Sequence, residues 1–75
     1  MRRAGTVVRA VGGLAVARSP GGGHPAIGAT LVDEALEAVG RVVDVMGPVE
    51  RPYVVVKPAA GRSPAALLDA KLYER

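Results

Sequence analysis

Valine is the residue that most constrains how this chain can fold. The 75-residue sequence contains thirteen valines and thirteen alanines but no phenylalanine and no tryptophan. Branching at Cβ fits the pleated surface of a sheet better than the surface of a helix. A helical bundle would also lack large side chains for its core. The composition therefore predicts a β-rich protein, and a chain of this length supports one domain over residues 1–75.

Glycine and proline divide the chain into short extended segments. The sequence has ten glycines and six prolines, which supply turns and interrupt strand ladders. Gly12-Gly13 is typical of a tight hairpin turn, since both residues can adopt positive φ. The strands that we predict cover residues 5–11, 14–18, 26–32, 39–46, 53–57 and 71–73.

Helix-forming patterns are brief. Residues 33–38 predict a wide turn or a single helical turn, because nucleating a longer helix in so short a piece is costly. Ser63-Pro64, a hydroxyl cap followed by proline at the first helical position, predicts a short helical segment over residues 65–69. Together the segments predict an all-β fold, a small six-stranded closed barrel with one short C-terminal helical segment.

The predicted fifth strand is apolar on both faces. Alternation puts Val54 and Val56 on one face and Tyr53, Val55 and Lys57 on the other. A small barrel needs only one apolar face for its interior. The second face predicts an apolar patch on the outside of the barrel.

The fourth strand and the loop after it extend this expected patch. Strict alternation groups Val42, Asp44 and Met46 on one face of that strand. The residues that we expect on the patch are Tyr53, Val55, Val49 and either Val42 or Met46. Contiguous apolar patches usually mark a protein contact. The alternative is that residues 64–73 form a second layer that covers this face.

The sequence offers no set of residues suited to catalysis or metal binding. His24 is the only histidine, and its neighbour Ser19 lies in a glycine-rich loop that we expect to be too flexible to hold a catalytic geometry. Cysteine is absent and the acidic residues lack metal-ligand spacing. We therefore predict a protein that is not an enzyme, with no metal, cofactor or small-molecule substrate. The apolar runs are too short for a membrane span, and the lack of cysteine favours an intracellular protein.

The basic residues give only weak support for nucleic-acid binding. The formal net charge is +3, and Arg2, Arg3 and Arg9 could form a small patch on the first strand. Such a patch is either a solvated face or a peripheral contact with phosphates. Stacking aromatics are limited to Tyr53 and Tyr73, which disfavours a general platform for single-stranded nucleic acid.

Longer runs of the sequence resemble a known family. The run VGRVVDVMGPVERPYVVVKP, residues 39–58, is the most specific, above all its centre GPVERPY. The segments IGAT and VD before it, the opening GTVVRAVGGLAVAR and the closing SPAALLDAKLY extend the likeness over nearly the whole chain. These motifs resemble the Gar/Naf family, in the small archaeal form found in box H/ACA ribonucleoproteins.

The resemblance implies a fold and a function. The fold is a six-stranded barrel related to the reductase-isomerase-type barrels of translation factors. The function is that of a non-catalytic subunit of the box H/ACA RNA-guided pseudouridine synthase particle, which acts in rRNA pseudouridylation and ribosome biogenesis. Such a subunit binds the catalytic domain of the synthase subunit, meets guide RNA only indirectly through the particle, and promotes substrate loading and turnover. An archaeal, cytoplasmic location follows from the same resemblance.

The family's interface carries over onto the residues of this chain that match its motif. These residues are Gly47, Pro48, Val49, Pro52 and Tyr53. We add Val55 to the predicted partner-binding set because alternation places it beside Tyr53. An alternative function is a direct RNA-binding β-barrel in ribosome assembly that uses Arg2, Arg3, Arg9 and Arg18.

Overall fold

Six antiparallel strands close into a barrel in the computed structural model, which describes residues 2–75. The strands are β1 (Arg2–Val11), β2 (Leu14–Arg18), β3 (Thr30–Val32), β4 (Ala38–Met46), β5 (Tyr53–Pro58) and β6 (Lys71–Glu74). Around the barrel they follow the order β1-β2-β5-β4-β3-β6, and β6 pairs with β1 to complete the circle. The predicted all-β, six-stranded closed barrel is confirmed for the described residues.

The first hairpin forms as the glycine pair predicts. Gly12 and Gly13 have φ angles of 56° and 81°, and Val11 pairs with Leu14 on either side of them. β2 has the predicted bounds. β1 is longer than predicted and begins at Arg2, because the start of the chain pairs with β6.

β3 is shorter than the predicted strand over residues 26–32. Residues 26–29 form a turn instead, in which the Ala29 amide donates to the Ala26 carbonyl at 3.0 Å. Gly28 has a φ of 95° in this turn, a conformation that glycine adopts at low cost. The ladder of β3 therefore begins only at Thr30.

Residues 33–38 form the wide turn and not the helical turn. The Asp33 carboxylate accepts the backbone amides of Ala35 at 2.9 Å and Glu37 at 3.0 Å. A short carboxylate that bonds nearby amides in this way competes with helical hydrogen bonding. The chain then enters β4 at Ala38.

The helical segment near the C-terminus is one 3-10 turn, Ala65–Leu67, shorter than the predicted 65–69. The expected hydroxyl cap from Ser63 is wrong. Pro64 is the residue before the turn, no side chain caps it, and the Ser63 carbonyl accepts the Ala66 amide at 3.1 Å. Among residues 2–75 no helix is both long and apolar enough to span a bilayer.

The barrel interior is filled by aliphatic side chains of small and medium size. The buried cluster consists of Ala4, Val7, Ala15, Ala17, Leu31, Val39, Val42, Val54, Val56, Leu67 and Leu72. Three positions on β1 and β2 carry alanine, which leaves room for the larger side chains that face them across a narrow barrel. The core is therefore filled without the larger apolar side chains on the outer faces of these strands.

A β-bulge in β4 corrects the predicted alternation of that strand. The register with β5 shifts between Val42 and Asp44, so Val43 and Asp44 are both exposed. Val42 is fully buried in the core, and Val45 also packs against it. The expectation that Val42 could lie on an outer patch is wrong: the bulge adds one residue between Val42 and Met46 and so puts them on opposite faces, with Val42 on the inner one. Met46, the other candidate, is exposed.

Candidate partner-binding groove

The outer faces of three neighbouring strands form a groove of about 950 Å³. β2 lies in the middle, with β1 on one side and β5 on the other. Cross-strand pairs bring its side chains together: Val16 is paired with Val55, and Arg18 with Tyr53. Met46 of β4 is paired with Tyr53 and extends the groove beyond β5.

Apolar side chains and arginines share this groove, which we call the outer groove. Its apolar lining consists of Val8, Val11, Leu14, Val16, Pro20, Met46, Tyr53 and Val55. Its basic lining consists of Arg3, Arg9, Arg18 and Arg51, and Thr6 completes it. No aspartate or glutamate of the described residues lines the groove. The surface thus combines a hydrophobic floor with positive charge, a composition suited to a macromolecular partner.

The apolar floor lies outside the barrel because β2 turns its small residues inward. Ala15 and Ala17 are fully buried, whereas Leu14, Val16 and Arg18 alternate with them on the outer face. Larger side chains at the inward positions would overfill a barrel of this size. The size order of this strand therefore places its larger apolar residues on the outer face.

A β-bulge in β1 widens the groove. The register with β2 shifts between Val7 and Arg9, which leaves Val8 unpaired and makes both Val8 and Arg9 exposed. After the bulge Ala10 faces Ala15, and Val11 returns to the outer face beside Leu14. The bulge thus places two consecutive side chains, one apolar and one basic, on the outer face at the groove.

Arg18 and Tyr53 form the best-defined contact in the groove. The Arg18 guanidinium carbon lies 4.5 Å from the centroid of the Tyr53 ring. Arg18 Nη1 also donates a hydrogen bond of 2.6 Å to the Tyr53 hydroxyl. The Arg18 Nε atom is buried and has no hydrogen-bond partner among the described residues. The contact fixes the orientation of both side chains before any partner arrives.

The loop between β4 and β5, residues 47–52, forms a corner at one end of the groove. Gly47 has a φ of 90°, and a Cβ atom there would lie 3.0 Å from Cδ2 of Tyr53. The Arg51 amide donates to the Pro48 carbonyl at 3.2 Å and closes the turn. Val49 is 89% exposed at its tip. This corner presents an apolar side chain on a loop whose backbone is fixed by glycine and proline.

Ser19 connects the corner to the glycine-rich loop that follows β2. Its amide donates to the Pro52 carbonyl at 2.9 Å, and its carbonyl accepts from Arg51 Nε at 3.1 Å. Its hydroxyl accepts the Gly21 amide at 3.1 Å and donates to the Gly23 carbonyl at 3.0 Å. Ser19 is fully buried, so the start of this loop is held firmly, contrary to the expected flexibility.

The predicted partner-binding residues occupy two adjoining places. Tyr53 and Val55 line the outer groove, although Val55 is only 5% exposed at its base. The other predicted residues form the corner, and they are Gly47, Pro48, Val49 and Pro52. Of these, Pro52 is buried while the rest are exposed. Residues 64–73 contribute nothing to the lining, so the alternative of a C-terminal cover over this face is wrong.

The predicted arginine patch is divided. Arg3 and Arg9 line the outer groove. Arg2 instead donates from Nη2 to the Gly22 carbonyl at 3.1 Å and is not part of the lining. Arg18, which the alternative function included, lies at the centre beside Tyr53, and Arg51 joins it from the corner.

The sequence prediction missed the part of the groove that β1 and β2 supply. The residues missed are Val8, Val11, Leu14 and Val16. A usable signal was present in β2, where LAVAR alternates two alanines with larger residues. When both faces of a barrel strand are apolar, the smaller side chains belong inside.

The opposite side of the barrel carries a charge cluster that is satisfied internally. Arg62 Nη2 lies 3.1 Å from Asp33 Oδ2, and Arg62 Nη1 lies 3.9 Å from Glu37 Oε1. The hydrogen bond from the Glu37 amide, followed by the hydrogen bond from Arg62, lowers the pKa of Asp33 below its usual 3.8. Both ion pairs found among residues 2–75 involve Arg62, so the groove arginines have no carboxylate of this chain within pairing distance.

The serine and histidine of the glycine-rich loop make local contacts. Ser19 Oγ bonds to the glycine loop, and His24 Nδ1 contacts the Pro25 carbonyl at 2.9 Å. Within residues 2–75 no group of three or more histidine, aspartate or glutamate side chains is gathered as metal ligands. The outer groove is thus the feature of the described chain with the size and composition of a binding site.

Fold and groove together define a small closed β-barrel with an apolar, arginine-lined groove on its outer wall. Residues 1–74 match the protein family described as the Gar1/Naf1 RNA binding region, and the chain belongs to that family. The family predicted from the sequence motifs is thereby confirmed. A solved structure described as the Gar1 domain of NAf1 superposes with a TM-score of 0.72 and 14% identity, covering 99% of this chain and 81% of that one. It shows the same fold. No curated protein matches the sequence.

Proposed function

We propose that this protein is a non-catalytic subunit of a box H/ACA RNA-guided pseudouridine synthase particle. In this role it binds the catalytic domain of the synthase subunit through the outer groove and the corner, residues 47–52. The observation that carries the proposal is the coincidence of two facts: the family match spans residues 1–74, and the GPVERPY motif lies at the end of an apolar groove.

The groove has the physical properties of a protein interface. Tyr53 is a large amphipathic side chain of the kind enriched in interface cores. Arg18 holds it in place, so that little conformational entropy would be lost when a partner covers it. Val8, Val11 and Met46, elsewhere along the groove, are each about half exposed, which leaves apolar area to be buried.

The proposed subunit acts on RNA through the particle. Binding to the synthase subunit would promote substrate loading and turnover without a reacting group from this chain. We extend the proposal to an archaeal, cytoplasmic protein that serves rRNA pseudouridylation, and this extension rests on the sequence resemblance alone.

A second candidate function is direct RNA binding in ribosome assembly. The observation that favours it is the set of four arginines in the groove, together with the description of the family as an RNA-binding region. Phosphate contacts would then come from Arg3, Arg9, Arg18 and Arg51. Such binding weakens steeply with salt.

Binding measured as a function of salt distinguishes the two functions. We expect the purified chain to bind the synthase subunit of its own organism tightly, and to bind guide RNA weakly unless that subunit is present. Fluorescence anisotropy with labelled guide RNA, with and without the synthase subunit, tests this. Tight RNA binding by the chain alone that falls steeply with salt, combined with no binding to the synthase, would overturn the proposal.

A further inference from the structure

We infer that the outer groove accepts an acidic segment of the synthase subunit, one whose apolar side chains cover the floor while its carboxylates pair with the groove arginines. This inference rests on the proposed function and adds the chemistry of the partner segment.

The charge of the groove requires an acidic partner. Four arginines line it, and no carboxylate of the described chain does. Arg62, in contrast, is paired within the chain, since its guanidinium lies 3.1 Å from the Asp33 carboxylate and 3.9 Å from that of Glu37. Burying the groove arginines under a neutral partner would cost desolvation without return, whereas a carboxylate offsets that cost.

Arg18 is prepared to bind a planar anion. Its Nη1 is used by the Tyr53 hydroxyl and its guanidinium carbon lies 4.5 Å from the ring centroid. Its Nε is buried and unpaired within the described residues. Because Nε is buried, an anion would reach this guanidinium through its Nη atoms, and a carboxylate can accept two parallel hydrogen bonds from them.

The floor favours a protein segment over RNA. It is aliphatic apart from Tyr53, whose ring Arg18 already contacts. Bases bind single-strand platforms by stacking on free aromatic faces, and Val11, Leu14 and Val16 provide none. Aliphatic side chains of a peptide would pack on this floor and exclude water from the arginine pairs at its rim.

The length of the central row of the groove sets a minimum size for the partner segment. β2 supplies its central row from Leu14 to Arg18, about 13 Å at the rise of a strand. That distance fits about four residues of extended chain or about nine residues of helix. A segment at least this long has one or two carboxylates within reach of Arg18 and the arginines of β1, whose part of the lining extends farther, from Arg3 to Val11.

A charge-matched pair of double variants tests the inference. The groove variant is Arg3→Gln with Arg9→Gln, and the control is Arg41→Gln with Lys57→Gln. Arg41 and Lys57 are exposed, are paired across β4 and β5, and lie outside the groove. Both variants lose the same net charge. Isothermal titration calorimetry against the synthase subunit at about 50 mM and about 300 mM NaCl measures affinity and its salt dependence.

We expect the groove variant to bind the synthase at least ~10-fold more weakly at low salt and with a flatter salt dependence, while the control stays within about twofold of the original. Equal affinity of the two variants, with the original chain still bound tightly, overturns this inference and leaves the proposed function standing. Absence of synthase binding by the original chain overturns both.

A parallel titration with a 20-nucleotide oligouridine identifies the competing occupant. If the groove variant loses affinity for this RNA and keeps its affinity for the synthase, the groove is an RNA site and the inference is wrong. Thermal melting confirms that both double variants fold. Because Arg9 makes no side-chain hydrogen bond or ion pair with the described residues, Arg9→Gln alone provides a second variant with less structural effect. It should show part of the same loss.

Discussion

The outer groove and the Asp33–Arg62 cluster lie on different parts of the same small barrel, and they use arginine in opposite ways. Arg62 is paired with two carboxylates of its own chain, and Asp33 accepts two backbone amides as well. The groove arginines lie beside exposed aliphatic side chains and have no carboxylate in reach. Charge that is neutralised internally shapes a turn, whereas charge that is left open above an apolar floor is available to a partner.

The largest expected effect is a loss of synthase affinity on substitution of Tyr53 but not of Tyr73. Tyr53 lines the groove, and Tyr73 lines a shallow surface with Asp33, Glu34 and Leu36. We expect Tyr53→Ala to weaken binding of the synthase subunit about 30-fold, or about 2 kcal/mol, because it removes a central anchor and releases Arg18. Tyr73→Ala should leave that affinity unchanged. Calorimetry that finds the same loss in both variants would remove the distinction between the two regions.

Alanine substitutions at Gly47 and Gly61 compare the corner with a backbone position of similar conformation outside it. Gly47 and Gly61 have φ angles of 90° and 82°, but a Cβ on Gly47 meets Tyr53, while a Cβ on Gly61 has nothing within 4 Å. Both substitutions should reduce the free energy of unfolding by about 1–2 kcal/mol because alanine is strained there. Only Gly47→Ala should also weaken synthase binding. Urea unfolding and calorimetry provide the two measurements, and equal affinities would show that the corner does not position Tyr53.

A smaller effect tests whether the groove extends to the hairpin end of β1 and β2. Val11 is 53% exposed inside the groove, and Ile27 is 66% exposed outside it. Val11→Ser should reduce affinity for the synthase about 3-fold, since it removes a partly buried apolar contact, while Ile27→Ser should have no effect. Neither change should alter the melting temperature. A normal affinity for Val11→Ser would limit the binding face to Tyr53 and the corner.

The smallest effect concerns the stability of the Asp33 cluster. The lowered pKa of Asp33 means that its carboxylate stabilises the folded state at neutral pH, and this contribution is lost as pH falls below 3.8 and through the lowered pKa. Asp33→Asn should lower the melting temperature at pH 7, and its difference from the original chain should shrink as pH falls below 3.8. Synthase affinity should not change. A constant difference at all pH values would exclude the carboxylate charge as the cause.

Much of the fold could be predicted from local patterns. The glycine pair at 12 and 13 determines the first hairpin, and β2 has the predicted bounds because no irregularity interrupts it. Alternation along the fifth strand predicted Tyr53 and Val55 on an outer face, and both line the groove. These features depend on turn chemistry and on uninterrupted alternation, which a single sequence displays directly.

The two bulges account for what could not be predicted. In β1 and β4 an extra residue reverses the alternation beyond it, which puts Met46 on the face opposite Val42 and exposes both Val8 and Arg9. Nothing in those strands marks the bulge, because valine occurs on both sides of it. The hydrogen bonds of Ser19 join segments that are distant in sequence, so they too depend on the closed barrel.

Closure of the barrel also decides how this protein can be recognised. Each of the six strands has a neighbour on both sides, and within residues 2–75 free edges remain where a strand extends beyond its partner, as β1 does beyond β6 and β4 beyond β3. A partner that covers the outer groove contacts side chains, because the backbone of its middle strand, β2, is already paired with β1 and β5. Specificity in the groove therefore depends mainly on side chains. Single substitutions can change it while the backbone hydrogen bonds that close the barrel are kept.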